Sequence, residues 1–347
     1  MKKRCTFVLT VVLMLALTGC STFKEQQTET EVAANIFEEF SDPLDNGKPD
    51  IYLITKGYDS FYWDTLRAGA TDAARENDCN LYVAGIPNET YPEYLVELMQ
   101  DAIDAKADAV IVSPVDIPQI IKASEQVKEA GIPLIFVDTI LNGVDFDVCV
   151  ATDNMQAGRM AAKEMVRLLH QNGRHDTEYL TIGIEISSTE SQTIQERLAG
   201  FQEYWCNYAP KSWKVLEDIK INRGDTRLAE QQGYQFMDAS TDLAGLVGLN
   251  NSSTVGLAQS VQNRQRADLA LAGFDGSDEI RQLIRSDEYC AASIVQQQYE
   301  MGYDSVEQAL KLIAGDVLEY RYVDTGVVQM NHDNVDSLRI QKILGEQ

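Results

Sequence analysis

The chain has 347 residues, room for roughly two domains at ~100–200 residues each. With 44% hydrophobic and 24% charged residues, its composition excludes both a wholly disordered chain and a polytopic membrane protein. Asp and Glu number 54 against 29 Lys and Arg, and the net charge of −25 has the wrong sign for a general nucleic-acid binder.

Lys2, Lys3 and Arg4 precede an apolar stretch from Phe7 to Leu17 and then small residues, the layout of an export signal. That stretch falls short of the ~20 residues a spanning helix needs, and no later segment comes close, so no integral membrane domain is expected. Leu17-Thr18-Gly19-Cys20 followed by Ser21 resembles the lipobox of bacterial lipoproteins. The resemblance implies removal of residues 1–19 and lipidation of Cys20, anchoring an otherwise soluble chain to a membrane's outer face. Loss of 1–19 leaves 26 basic against 54 acidic residues, a charge of −28. Cys5 departs with the signal. Cys79, Cys149, Cys206 and Cys290 form no C-x-x-C pair, so no zinc site is expected, and Cys149 and Cys290 open apolar runs as small buried hydrophobes would.

Residues 20–48, rich in Thr, Gln and Glu and broken by Asp42-Pro43 and Asn46-Gly47-Lys48-Pro49, read as an acidic tether. From Asp50 onward, short β-branched runs alternate with segments of helical period. Strands are expected at Ile51–Thr55, Leu81–Ala84, Ala109–Val112, Leu134–Val137 and Val148–Ala151. Helical spacing of Leu66, Ala70, Ala73 and Ala74, and of Leu95, Leu98, Met99, Ala102 and Ile103, fills the gaps. The pattern restarts with a helix over Asn154–Leu169, a strand over Tyr179–Ile186, a helix over Thr193–Cys206, a strand over Val215–Ile221 and a helix over Thr226–Met237. Further strands follow at Leu246–Leu249, Leu269–Gly273 and Ala291–Val295, with helices from about Thr254 and Ser277 between them. Repeated βα units with all-apolar strands predict an α/β chain of two doubly wound parallel sheets covered on both faces.

Ligands of such sheets bind beyond the carboxyl ends of the strands. The residues there are aromatic rings, carboxylates, carboxamides and one arginine: Lys56 to Trp63, Ser113 to Asp116, Asp138-Thr139, Ala151 to Asn154, Ser187 to Arg197, Asn250 to Ser252, Phe274 to Gly276, and Gln296. Such a set suits a solute with hydroxyls around its rim and C–H on its faces: a sugar, cyclitol or other small polyol.

The segments Ile51–Ala70, Ser113-Pro114-Val115-Asp116, Gly131-Ile132-Pro133 to Asp138, Ala151-Thr152-Asp153-Asn154, Glu196-Arg197-Leu198-Ala199-Gly200-Phe201, Asn250 and Gly273-Phe274-Asp275-Gly276 resemble the type I periplasmic sugar-binding proteins of the ribose-binding group. The resemblance runs from about Asp50 to about Gly326. It implies two lobes joined by three crossovers, 49–152 plus 297–324 and 153–296 plus 325–347, closing on a sugar that is delivered to an ABC permease. It implies a monomer with no cofactor and no metal. By the same resemblance Tyr62 and Trp63 stack on the sugar, Asp138 accepts its hydroxyls, and Arg197, Asn250, Asp275 and Gln296 supply the second lobe's ligands. Ser60, Ser113 and Thr139 stand where the ribose binder has asparagines and an arginine, and Lys56 adds a cation for a further hydroxyl, a carboxylate or a phosphate.

Each residue also has a plainer reading. Trp63 can pack a lobe interface, Asp138 can cap, Asp275-Gly276 can turn, Gln296 can cap a helix, and Arg197 can pair with Asp138 or Asp275. Packing alone does not predict their clustering at strand ends in both halves. An enzyme is not expected. G-x-S-x-G, the phosphate loop and H-E-x-x-H are missing, and carboxylates held near arginine would stay ionised and supply no general acid. His170, His175 and His332 make no cluster. The same ligand-binding fold occurs in transcriptional repressors, but those carry a DNA-reading helix pair where this chain has a signal and tether. Two rivals remain: a receptor reporting to a membrane kinase or chemoreceptor, and a binder of a furanose-like signalling molecule.

Overall fold

The computed structural model describes residues 43–58, 60–87 and 91–346; the signal, Cys20 and most of the tether lie outside the described residues. The first half runs β1 (Asp50–Thr55), α1 (Phe61–Glu76), β2 (Asn80–Gly85), α2 (Glu93–Asp104), β3 (Ala109–Val112), α3 (Pro118–Glu129), β4 (Leu134–Val137) and β5 (Val148–Ala151). Every residue of β3, β4 and β5 is buried, the mark of strands covered by helices on both faces.

The second half runs α4 (Asn154–Gln171), β6 (Leu180–Ile186), α5 (Gln192–Tyr208), β7 (Trp213–Val215), β8 (Lys220–Ile221), α6 (Thr226–Ala239), β9 (Leu243–Gly248), α7 (Asn251–Asn263), β10 (Ala270–Phe274), α8 (Asp278–Arg285) and β11 (Ala291–Gln296). The chain then continues through α9 (Gln298–Ile313), β12 (Tyr322–Asp324), β13 (Val327–Met330) and α10 (Leu338–Ile343). One sheet has the order β12-β5-β4-β3-β1-β2 and the other β13-β11-β10-β9-β6-β7, with β8 also on β6. All pairings are parallel except β13 against β11.

The single strand expected over 215–221 is instead two short ones. The exposed Glu217-Asp218 pair turns the chain away from β6 between them, with the Ile219 amide donating to the Glu217 carbonyl.

Three connections pass between the sheets, after β5, after β11 and after β12. They are laced together: Asp324 Oδ1 accepts from the amides of Asp153 (3.1 Å) and Gly326 (2.8 Å), the Thr325 amide donates to the Ala151 carbonyl (3.0 Å), and Gln297 Nε2 donates to the Thr325 carbonyl.

Helix crossings at glycine set the approach to the site. A methyl at Gly302 of α9 would fall 1.9 Å from the Leu66 carbonyl oxygen of α1, and one at Gly158 of α4 would fall 2.0 Å from that of Arg197 on α5. Backbone contact of this kind needs residues without Cβ. At the carboxyl end, α10 packs Ile340, Ile343 and Leu344 into the apolar layer that also holds Leu283, and Phe61 of α1 rests on the same layer. Leu344 covers Gly276, and Lys342 lies 3.9 Å from Glu300 of α9.

Candidate functional site

Asp138 and Asp275 occupy matching places in the two halves. Each is the first residue after a strand, β4 or β10, with its amide bonded to the neighbouring strand (Val150 carbonyl at 3.0 Å, Ile294 carbonyl at 2.9 Å) and its backbone in the left-handed region (φ +68° and +65°). Left-handed backbone is costly for residues other than glycine, least so for Asp and Asn, so its repetition at two strand ends points to a required side-chain direction. Both carboxylates are buried, at 7% and 2% exposure.

Around Asp138 the first half gathers donors. Tyr62 OH donates to Oδ1 at 2.5 Å; Thr139 Oγ1 and Ser113 Oγ donate to Oδ2 at 2.7 and 3.3 Å. Lys56, 5% exposed at the end of β1, donates to Thr139 Oγ1 at 2.7 Å and lies 3.1 Å from Oδ2. Burial alone would raise the Asp138 carboxyl; Lys56, with the Thr139 and Tyr62 hydroxyls, outweighs it and holds the carboxyl below the usual range. The Tyr62 hydroxyl is pushed well up by burial and by the Asp138 charge, so it remains a donor. Trp63 meets Tyr62 edge-on at 4.9 Å and lays its indole over Gly57. Ser60 caps α1, its hydroxyl accepting from the Trp63 amide at 3.4 Å. Thus α1 begins at its aromatic pair, which is held by a cap and by backbone contact.

Around Asp275 the arrangement differs. Gln296 Nε2 and Gln298 Nε2 donate to Oδ1 at 3.0 and 2.9 Å. Arg197 does not pair with either carboxylate, one of the roles weighed above for it. Its Nε donates to Asn154 Oδ1 (2.9 Å), and its two terminal nitrogens to the Leu249 carbonyl (3.1 Å) and Gln296 Oε1 (2.6 Å), while the guanidinium lies 4.5 Å over the Phe274 ring. It reaches Asp275 through Gln296. Burial consequently prevails there and pushes the Asp275 carboxyl up to about 6 despite the Arg197 charge, contrary to the expectation that both carboxylates stay firmly ionised.

Asn250 caps α7 and closes a ring. Asn222 Nδ2 donates to Ser253 Oγ (2.7 Å), which donates to Asn250 Oδ1 (2.5 Å); Asn250 Nδ2 donates to Ser252 Oγ (2.8 Å), which donates to Asn222 Oδ1 (3.3 Å). The ring uses one of the two N–H groups of the Asn250 amide. Among the described residues no group of His, Cys, Asp and Glu could hold a metal ion, and the four cysteines are free thiols. No helix among them is long and apolar enough to cross a membrane.

Residues 51–316, most of the chain, match the periplasmic binding protein domain family. The chain belongs to that family. This periplasmic binding protein is 25% identical over 275 residues to the D-apiose import binding protein of Actinobacillus succinogenes, covering 78% of this chain and 83% of that one. It is 22% identical over 319 residues to the ribose import binding protein of Bacillus subtilis, covering 91% and 94%. Among solved structures it superposes on a carbohydrate transporter solute binding protein from Agrobacterium radiobacter in complex with D-arabinose, with a TM-score of 0.78 at 24% identity over 86% of this chain and 99% of that one. The two-lobed α/β fold is therefore that of sugar-binding proteins of ABC transporters.

The periplasmic binding protein's sequence pointed to Lys56, Tyr62, Ser113, Asp138 and Thr139, which the structure joins in one network, and to Arg197, Asp275 and Gln296, which it joins in a second. Ser60, Trp63 and Asn250 flank these as caps and cover. Asn154, Phe274 and Gln298 went unassigned. Asn154 sits in the strand-end run 151–154 and Gln298 in Gln296-Gln297-Gln298, so position alone marked the neighbourhood without choosing the residue.

Proposed function

We propose that the protein captures a small neutral sugar or polyol between lobes 49–152 plus 297–324 and 153–296 plus 325–347, and presents the closed form to an ABC permease. The observation that carries this reading is the pair of equivalent buried aspartates, one per half, amid hydroxyl, carboxamide and indole groups. The two cations nearby, Lys56 and Arg197, are already hydrogen-bonded to Thr139 and to Gln296, Asn154 and Leu249, and two carboxylates balance them. A polyol needs acceptors and donors in that proportion, whereas an anionic solute needs uncommitted positive charge. The relatives named for import of apiose and ribose favour the same solute class. Binding to both lobes stabilises closure by the ligand's differential affinity, with no covalent step and no cofactor.

Cys20 carries the lipid anchor in this reading, holding the protein on the outer face of the membrane. Mass spectrometry of the membrane fraction tests it: Cys20→Ala releases the chain, and an unlipidated wild type refutes the anchor. The function is tested by a thermal-shift screen against D-ribose, D-apiose, D-allose, D-arabinose, cyclitols and sugar acids, since saturating ligand stabilises the form that binds it. A shift with one neutral sugar that disappears in Asp275→Ala is expected. Shifts confined to sugar acids refute the neutral class.

A further inference from the structure

Gln298 is fully buried, opens α9 just beyond the second connection between the sheets, and sends Nε2 to Asp275 Oδ1 at 2.9 Å. Its Oε1 is buried without a hydrogen-bond partner. With the Asp275 carboxyl ionised the amide cannot be turned to mend this, because Oε1 would then face an acceptor-only carboxylate. A buried orphan acceptor lowers stability, so the residue is explained by what Nε2 does. The adjacent Gln297 ties the same connection to Thr325 in the third. Two consecutive side chains thus join the hinge to itself and to the lobe-2 acceptor.

We propose that Gln298 is a positioning residue, fixing the Asp275 carboxylate from the hinge so that its other oxygen meets the ligand. The inference rests on the sugar-capture reading for its ligand, but its geometry is testable without one. The charged and titratable groups around Asp275 are Arg197 on α5, Asp138 after β4 and Tyr62 on α1, with Lys56 beyond Asp138; past the turn, Arg281 of α8 is paired with Glu346. Arg197 is engaged elsewhere, so the two glutamines are the direct hydrogen-bond donors to Asp275 Oδ1, and removing one disfavours the ionised carboxyl.

The experiment compares full-length wild type, Gln298→Met and Gln298→Glu. In ligand-free protein, ¹³C NMR of the Asp275 carboxyl should show its midpoint rising by about one unit in Gln298→Met and further in Gln298→Glu, whose carboxylate is nearly isosteric with the amide. Relative to wild type, the melting temperature of ligand-free Gln298→Met should be highest below pH 6, where the orphan is gone and the neutral carboxyl does not need the donor, and should fall as pH rises to 8, where the ionised carboxyl has lost one. Calorimetry with whichever neutral sugar shifts the wild type should show Kd weakened about tenfold in Gln298→Met, the equivalent of ~1.4 kcal/mol, with the loss deepening as pH falls from 8 to 6. An unchanged Asp275 midpoint in both variants overturns the inference, as does an unchanged Kd. Should no sugar bind the wild type, the capture reading fails while the carboxyl titration still decides the role of Gln298.

Discussion

Glu185 offers a stability test independent of any ligand. It lies fully buried in β6, with Oε1 accepting from Asn222 Nδ2 at 2.8 Å and Oε2 without a partner. Burial pushes its carboxyl up to about 8, beyond what Asn222 and Lys220 recover, so the folded protein keeps this proton at neutral pH. The unfolded chain releases it near 4.5. Between those values the folded state binds more protons, and stability falls as pH rises through the window. At ~1.4 kcal/mol per unit the loss is roughly 3 kcal/mol by pH 7 and roughly 5 kcal/mol by pH 8 as an upper bound. In Glu185→Gln the carboxamide would remain neutral throughout while accepting from Asn222 as before. Urea unfolding of wild type and Glu185→Gln at pH 5, 6, 7 and 8 should therefore give a difference near zero at pH 5 that grows in the variant's favour by a few kcal/mol toward pH 8. Other titrating groups cancel in that difference. A difference that stays flat across the range means Glu185 is ionised in the fold, and the burial argument fails.

Lys56→Met removes the cation that holds Asp138 ionised, so sugar affinity should fall at least tenfold and become acid-sensitive; calorimetry at pH 6 and 8 reads both. Trp63→Ala should weaken a pyranose by about 1–3 kcal/mol with little change in ligand-free melting, since the ring lies over Gly57 and only partly in the core. Gly302→Ala places a methyl 1.9 Å from the Leu66 carbonyl and should cost about 1–3 kcal/mol in denaturant unfolding while weakening binding, because α9 carries Gln298. Unaltered binding in a destabilised Gly302→Ala protein would separate the crossing from the site.

Strands such as AVIV and LIFV announce themselves because every residue is apolar and β-branching is common, which only a doubly covered strand requires. Tyr322–Asp324 and Val327–Met330 do not: one has three residues, none of them buried, the other four residues of which only Val328 and Met330 are buried, too few for a pattern, and β13 pairs antiparallel. The six-residue α10 is likewise too short for a periodic signal. In the site, the two aspartates were legible because the rule that ligands bind at strand ends acts on position. The Arg197 partnership was not, because Gln296 lies 99 residues further along the chain, a pairing that no local window contains. Gln298 meets a carboxylate 23 residues earlier in the chain, a tertiary choice among three identical neighbours.

The contacts of residues 344 and 345 have a practical bearing on how the protein can be handled. Leu344 sits on Gly276, next to Asp275, and Gly345 approaches Tyr299 and Thr65 of the other half, so a label or substitution at 344–345 bears directly on the turn that holds Asp275. Residues 44–46 pack instead beside the start of β2, where the Leu44 amide bonds Tyr82 OH and Asn46 bonds Asn80, a strand's length of ~20 Å from the carboxyl end of that strand. A fluorophore meant to leave the Asp275 turn undisturbed belongs near 44–46, because a dye at 344–345 would sit against the turn it is meant to report.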